Sequence, residues 1–146
     1  MRTRNILWPT DFSETASHAL SYAVEMANLY NVGLRVLHVV EQLSGDENFQ
    51  VLVITPEELM QSMEAAAAQE MQKLLAGLNT DLKVETLVRR CEENNIAEQI
   101  VKEAGQGDIG MIVMASHGRT GLSHFWHDNV AEKVAQKAEC PVLIVK

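Results

Sequence analysis

The chain has 146 residues, of which 47% are hydrophobic and 22% are charged. This length and composition are typical of a globular protein with one core, and we expect a single domain over residues 1–146. The 12 Lys and Arg residues against 20 Asp and Glu residues give a net charge of −8, which argues against binding nucleic acid or anionic lipid through a broad basic surface.

A strand, a helix and a second strand are predicted in the first 40 residues. Residues 6–8 are apolar and predict a buried strand that ends at Pro9. Apolar residues then recur at helical spacing from Ser13, a favourable N-cap, to Tyr30. Residues 34–40 are again apolar and predict the second strand.

A loop and a long helix are predicted next. We interpret residues 41–55 as a loop in which residues 51–54 could be extended. The tetrapeptide Thr-Pro-Glu-Glu from Thr55 is a complete helix start, because Thr can cap, Pro fits the first turn and the second Glu has the capping-box position. Apolar residues continue at helical spacing to Gly77. Three methionines on this helix are expected to pack in the core: Met60, Met63 and Met71.

The second half repeats the alternation of strand and helix. Residues 82–88 predict a third strand, and residues 96–104 predict a helix that ends near the glycines that follow it. Residues 109–115 are almost wholly apolar, which is typical of a strand covered on both faces. A last helix over residues 130–138 and a last strand over residues 141–145 follow. Strands alternating with helices predict an α/β fold, a three-layer sandwich of a parallel sheet between helices.

Membrane segments and disulfides are not expected. No apolar run approaches the roughly 18 residues that a membrane-spanning helix needs, and the first residues lack the longer apolar run of a signal peptide. The two cysteines, Cys91 and Cys140, are far apart and show no CxxC spacing. This pattern favours a reduced, cytoplasmic protein with no membrane contact.

Two segments at predicted strand ends carry the residues best suited to a ligand. Open parallel sheets bind ligands beyond the carboxyl ends of their strands. Residues 9–13 place Asp11 and two hydroxyl residues after the first strand, and residues 116–121 place His117, Arg119 and two glycines after the fourth. Glycines allow backbone N–H groups to approach an anion. The GxxxxGK[ST] and GxGxxG motifs are absent, and no pattern of catalytic residues stands out.

The residues that could bind a ligand or partner could instead have a purely structural role. Asp11 could contact a ligand or hold the turn before the first helix, and His117 could contact a phosphate or only shape its turn. His38 lies in a predicted buried strand, which favours a hydrogen-bonded core histidine. Residues Phe125 and Trp126 could cover the sheet edge or form a contact surface for a partner.

A metal site is not expected. The histidines at positions 117, 124 and 127, with Asp128, do not have the spacing of any standard zinc site.

Five segments in chain order resemble the universal stress protein family. They are NILWPTDFS at 5–13, LHV at 37–39, IVMASHGRTG at 112–121, NVAEKV at 129–134 and CPVLIV at 140–145. The resemblance covers the whole chain and implies a five-stranded parallel sheet of order 3-2-1-4-5 and, commonly, a homodimer. The family has one branch that binds ATP and one that does not.

The resemblance implies a nucleotide site with a degenerate phosphate motif. The G-x2-G-x9-G-[ST] motif of the ATP-binding branch falls on Ala115, Gly118, Asp128 and Asn129, so that one of the four positions keeps its residue type. The adenine and ribose contacts of the family fall on Pro9, Thr10, Asp11, Val39 and Met114. With His117, Arg119 and Val130, these residues make up the predicted nucleotide site. The resemblance favours Asp11 as a ligand contact.

Asp128 is the departure that matters most for ATP. A carboxylate beside the terminal phosphates costs on the order of a few kcal/mol, which lowers affinity about a hundredfold or more. A Mg²⁺ ion held by Asp128 would reverse the sign of this effect. Asn129 is expected to cap the last helix, with Glu132 in capping-box position.

These observations predict a universal-stress-type regulatory protein that binds ATP, with Mg²⁺, or another adenine nucleotide. The alternative is a stress-associated dimeric interaction protein with a degenerate pocket, acting on an unidentified protein partner. An ATP hydrolase of low turnover is a third alternative, although no general base is evident and no catalytic residue is assigned. In either of the first two cases we expect a homodimer through the edge strand, formed by Val142, Leu143, Ile144 and Val145.

Overall fold

The computed structural model describes residues 4–42, 54–116, 126 and 129–146. The strands within them are β1 (Asn5–Pro9), β2 (Leu34–Gln42), β3 (Val84–Glu92), β4 (Ile109–Ala115) and β5 (Val142–Val145). The helices are α1 (Glu14–Tyr30), α2 (Pro56–Gly77), α3 (Ile96–Gln106) and α4 (Val130–Lys137). All strand pairs are parallel and the order is β3-β2-β1-β4-β5, which confirms the predicted sheet.

Helices cover both faces of the sheet, as the alternation of elements predicts. On one face α1 and α2 pack against a cluster that includes Ile6, Trp8 and Val36. On the other face α3 and α4 pack against a cluster that includes Leu7 and Met114. Neighbouring residues of β1 therefore point into opposite cores, and a nearly continuous apolar strand is needed. Of the three methionines, Met60 and Met71 are buried and Met63 is half-buried.

Two of the side-chain helix caps predicted from sequence are confirmed, and one is wrong. The Ser13 hydroxyl accepts from the Ala16 N–H at 3.1 Å, and the Thr55 hydroxyl accepts from the Glu58 N–H at 3.0 Å. Asn129 makes no side-chain capping bond to α4. Its φ of −93° and ψ of 6° are far from the extended backbone that lets a cap side chain reach the first turn.

The third strand is displaced from its predicted range of 82–88. It begins at Val84, because the Leu82 N–H is held in a turn by the Thr80 hydroxyl at 3.2 Å. It continues to Glu92 in unbroken register with β2, through Arg89 and Arg90. In the part of the chain that the structure describes, β3 pairs only with β2, so it is an edge strand whose charged side chains can reach solvent.

One sequence expectation falls mostly outside the described residues. Residues 51–53 of the segment that could be extended lie outside the described residues. Among the residues that are described, no helix is long and apolar enough to cross a bilayer.

Candidate functional site

The turn between β1 and α1 is held by its own polar side chains. Thr10 and Asp11 are 0% and 3% exposed. The Thr10 hydroxyl accepts from the Phe12 N–H at 3.0 Å, and Asp11 Oδ1 accepts from the Ser13 N–H at 2.9 Å. Phe12 has a φ of 65°, a conformation that is uncommon for a bulky residue. The two side-chain bonds keep the chain in this strained turn at the carboxyl edge of the sheet.

Asp11 also joins the turn to a distant part of the chain. Its second oxygen, Oδ2, accepts from the backbone N–H of Trp126 at 3.1 Å. The indole Nε1–H of Trp126 donates to the carbonyl of Val39, at the end of β2, at 3.3 Å. Trp126 is 9% exposed, and its side chain packs with Val39, Met114 and Val130 in the α3–α4 core. Trp126 thus covers the carboxyl edge of β1 and β2.

His38 lies beside this turn as a neutral, hydrogen-bonded residue. Its Nδ1 is 2.8 Å from the Thr10 carbonyl, which can only accept, so Nδ1 carries the proton. Burial lowers the pKa of His38, and the Thr10 carbonyl and Asp11 oppose this shift. The imidazole is 4.5 Å from the Phe12 ring and 6.0 Å from the indole of Trp126, nearly parallel to the latter. His38 therefore serves as part of the wall of the site.

A cavity of about 530 Å³ opens between the first turns of α3 and α4. Its wall combines Lys133 with Glu41, whose carboxylate accepts from the Asn94 N–H at 2.7 Å. The cavity is lined by Glu41, Asn94, Ile96, Ala97, Asn129, Val130 and Lys133. Two helix N-termini directed at one cavity, together with a lysine, favour an anion.

The two cysteines are not suited to nucleophilic chemistry. Burial, with Glu41 next in importance, raises the pKa of the Cys91 thiol to about 12. Burial likewise raises the pKa of Cys140. Both thiols are protonated at neutral pH, whereas a nucleophilic cysteine acts as the thiolate. Among the described residues, no group of three or more His, Cys, Asp or Glu side chains is placed to hold a metal ion.

The structure brings most of the predicted nucleotide-site residues to one edge of the sheet. Seven of them are buried there: Pro9, Thr10, Asp11, Val39, Met114, Ala115 and Val130. Asn129 is exposed at the mouth of the cavity. Four others lie outside the described residues: His117, Gly118, Arg119 and Asp128.

Sequence reasoning missed two residues of this edge and the hydrogen bonds of a third. Glu41 and Lys133 belong to no recognised motif, and a charged residue at a strand end or on a helix is usually interpreted as solvent-exposed. Trp126 was noted, with covering of the sheet edge as one alternative, but its two hydrogen bonds to β1–α1 and β2 were not predicted. A tryptophan beside a phenylalanine in a polar stretch was the available signal.

Comparisons with known proteins agree with this fold. The model of the universal stress protein family matches residues 2–146. Universal stress protein MJ0577 of Methanocaldococcus jannaschii is 30% identical over 153 residues, covering 98% of this chain and 94% of that protein. A solved structure of MJ0577 matches with a TM-score of 0.77, covering 100% of this chain and 97% of that chain.

Two further solved structures share the fold at lower identity. Universal stress protein UspA of Lactobacillus plantarum has a TM-score of 0.77 at 22% identity, covering 100% of this chain and 99% of that one. The universal stress protein of Archaeoglobus fulgidus in complex with dAMP has a TM-score of 0.60 at 23% identity, with both chains covered fully, at 100%.

Proposed function

Since the chain belongs to the universal stress protein family, we propose that it is a regulatory protein that binds an adenine nucleotide at the carboxyl edge of its sheet. The observation that carries this proposal is the cavity between α3 and α4, with two helix N-termini and Lys133 in its wall. The helix N-termini and Lys133 complement phosphate groups, whereas the Glu41 carboxylate in the same wall would need a cation between it and the phosphates. The Archaeoglobus fulgidus relative in complex with dAMP supports an adenine nucleotide as the ligand class.

The proposed ligand lies along the edge from β1 to α4. Its base packs on Val39 and Met114, its ribose lies near Asp11, and its phosphates extend into the cavity beside Asn129. Val39 belongs to the same apolar cluster as Ile96 and Val130, and these two residues line the cavity together with Lys133. This shared cluster supports the proposal that the base position adjoins the anion position.

ATP with Mg²⁺ is the finer form of the proposal. Mg²⁺ in nucleotide sites is held by one or two carboxylates and by substrate phosphates. Glu41 is the carboxylate that lines the described part of the cavity, and its chemistry fits such a role. Asp128, outside the described residues, is the second candidate and stays a prediction.

Calorimetric titration with adenosine, AMP and ATP tests the phosphate position. We expect Lys133→Gln to weaken ATP binding about tenfold and to leave adenosine binding unchanged, because in the proposed position the lysine contacts the phosphates and not the base or the ribose. Lys102→Gln is the matched control, since Lys102 is an exposed lysine on α3, the helix that packs beside α4 on the same face of the sheet, and it does not line the cavity. Equal losses for ATP and adenosine would contradict the placement.

Repeating the ATP titration in Mg²⁺ and in EDTA tests Asp128. We expect weak binding in EDTA and stronger binding with Mg²⁺, and we expect Asp128→Gly to strengthen binding in EDTA because a like charge is removed. Submicromolar ATP affinity of the unmodified protein in EDTA would show that Asp128 does not oppose the phosphates.

A second candidate function is an interaction protein that binds no nucleotide. The observation that favours it is Trp126, which already occupies both Asp11 Oδ2 and the Val39 carbonyl. In that case the chain acts through its surface on an unidentified protein partner. The absence of binding of adenosine, AMP and ATP at millimolar concentration, with and without Mg²⁺, would select this function. Both cysteines are free, which supports a reducing, cytoplasmic location for either function.

We also propose a homodimer formed by pairing of β5 with its copy. β5 contacts β4 on one side, has no strand on the other among the described residues, and is apolar throughout. The Pro141 and Val145 carbonyls accept from the Ile112 and Ser116 N–H groups of the β4 side at 2.9 and 2.8 Å. The backbone N–H and C=O groups of successive strand residues point to opposite edges of the strand. The backbone groups of Leu143 therefore point to β4, whereas those of Val142 and Ile144 point to the open edge.

Sedimentation over a dilution series tests this dimer. Ile144→Pro removes an outward N–H, and we expect it to give a folded monomer. Leu143→Pro is the comparison, because it removes a donor facing β4 and should instead lower the melting temperature. An unmodified protein that sediments as a monomer at all concentrations would refute the interface.

A further inference from the structure

The Val39 carbonyl is the first acceptor of β2 beyond the end of β1. Pro9, the last residue of β1, lies opposite Leu37, and the Thr10 N–H donates to the Leu37 carbonyl at 2.8 Å. Residues two apart in a strand direct their carbonyls to the same side, so the Val39 carbonyl points to the place where a further residue of β1 would lie. The chain instead turns away at Asp11.

The side chain of Trp126 lies where a further residue of β1 would pair with β2. Its indole Nε1–H donates to the Val39 carbonyl at 3.3 Å, and its ring belongs to the buried apolar cluster that also contains Val39 and Met114. Its backbone N–H is fixed on Asp11 Oδ2 at 3.1 Å. An indole is a flat bicycle with an N–H donor at its edge, and the amino group and ring system of adenine present the same two features. The indole therefore shares the apolar cluster of Val39 and Met114, on which the proposed function places the base, and it also uses the Val39 carbonyl, an acceptor that an adenine amino group would suit.

We propose that Trp126 is an intramolecular occupant of the base position, so that a purine nucleotide binds only when the indole leaves. This inference rests on the proposed function and adds its regulation, because nucleotide binding and burial of Trp126 exclude each other. The class of ligand follows from the same contacts: a planar heteroaromatic ring with an amino donor, such as adenine. The apparent affinity of such a site is reduced by the fraction of molecules in which the indole is out.

Nucleotide affinity of Trp126 variants gives the first test. With AMP titrated calorimetrically, we expect Trp126→Ala to bind about tenfold or more tightly than the unmodified protein. Trp126→Phe keeps a ring but loses the donor to Val39, and we expect an intermediate affinity. Tyr22→Ala is the control, since Tyr22 is an aromatic residue 47% exposed on α1. Equal or weaker binding by Trp126→Ala would show that the indole supports the base and would overturn the inference.

Acrylamide quenching of the unmodified protein gives a second test, with Trp126→Phe as its control. The chain has two tryptophans, and Trp8 is 0% exposed, so a change in quenching reports on Trp126. We expect saturating AMP to increase quenching and to shift the emission to longer wavelength, and we expect neither change in Trp126→Phe. Unchanged or reduced quenching on binding would overturn the inference while leaving the proposed function intact. If neither the unmodified protein nor Trp126→Ala binds AMP at millimolar concentration, the proposed function fails, and this inference fails with it.

Discussion

Replacing Asp11 by Ala tests whether the carboxylate at the end of β1 is a structural residue as well as a proposed ligand contact. The carboxylate is 3% exposed and accepts from two backbone N–H groups, of Ser13 at 2.9 Å and of Trp126 at 3.1 Å. Alanine would leave both donors without this partner in a buried place. We therefore expect Asp11→Ala to lower the free energy of unfolding, in addition to any effect on a ligand.

The magnitude follows from the two bonds. A hydrogen bond to a charged group contributes about 1.5–3 kcal/mol. Removal of the carboxylate also removes the cost of burying its charge, so we take the lower end for each bond and expect a loss of about 3 kcal/mol. At about 2–4 °C per kcal/mol for a chain of this size, the melting temperature should fall by about 6–12 °C. Asp11→Asn keeps one acceptor and should lose about half as much.

Urea denaturation followed by circular dichroism measures these losses. Asp81→Ala is the matched control, because Asp81 is exposed in the loop before β3, and it should change stability by less than about 0.5 kcal/mol. If Asp11→Ala melts like the control, the two bonds contribute nothing net and the structural role assigned to Asp11 is wrong. If it binds nucleotide less tightly at unchanged stability, the carboxylate acts on the ligand alone.

Three further predictions concern other parts of the molecule. Burial lowers the pKa of His38 below its ordinary value of 6.5. As the pH falls below 6.5, His38 therefore takes up a proton in the unfolded chain before it does so in the folded chain. Stability should decline there by up to about 1.4 kcal/mol per pH unit, and His38→Gln, but not the exposed His18→Gln, should remove that part of the slope in urea titrations at several pH values. Cys91, with a pKa raised to about 12, should react with Ellman's reagent at pH 8 at least about tenfold more slowly than free cysteine until the protein is unfolded. Gly33→Ala should cost about 1–3 kcal/mol, because its Cβ would lie 2.9 Å from Asn5 Oδ1 and 3.1 Å from the Lys83 carbonyl, whereas Gly77→Ala meets nothing within 4 Å and should be tolerated in thermal melts.

The strands and helix starts could be predicted because local chemistry decides them. Thr55 and Ser13 cap their helices through bonds to residues three positions on, which a sequence pattern contains. β4 could be predicted as a strand covered on both faces, because such strands are apolar at nearly every position and the sequence shows this directly. Asn129 shows the limit, because a residue type that favours a cap does not cap when its backbone lies at φ −93° and ψ 6°.

The parts that could not be predicted depend on contacts between distant residues. β3 continues through Arg89 and Arg90 because nine residues of β2 offer it partners, and charges are tolerated at an edge. The bonds of Trp126 reach Asp11 and Val39, 115 and 87 positions away. A sequence pattern can mark a tryptophan in a polar stretch as unusual, but it carries no information about which carbonyl lies beyond the end of a neighbouring strand.

The same contacts change what the retained family residues imply about ligand binding. The resemblance predicts Asp11 and Val39 as nucleotide contacts, yet each already has a partner within this chain. Their presence is therefore expected from the fold alone, with or without a ligand. The cavity between α3 and α4 is different, because helix N-termini and Lys133 around an open volume do not contribute to packing in the way a filled core does. The structural evidence for a nucleotide consequently rests on the wall of this cavity. Variants of Lys133 and Trp126 therefore discriminate between the two candidate functions, whereas variants of Asp11 do not.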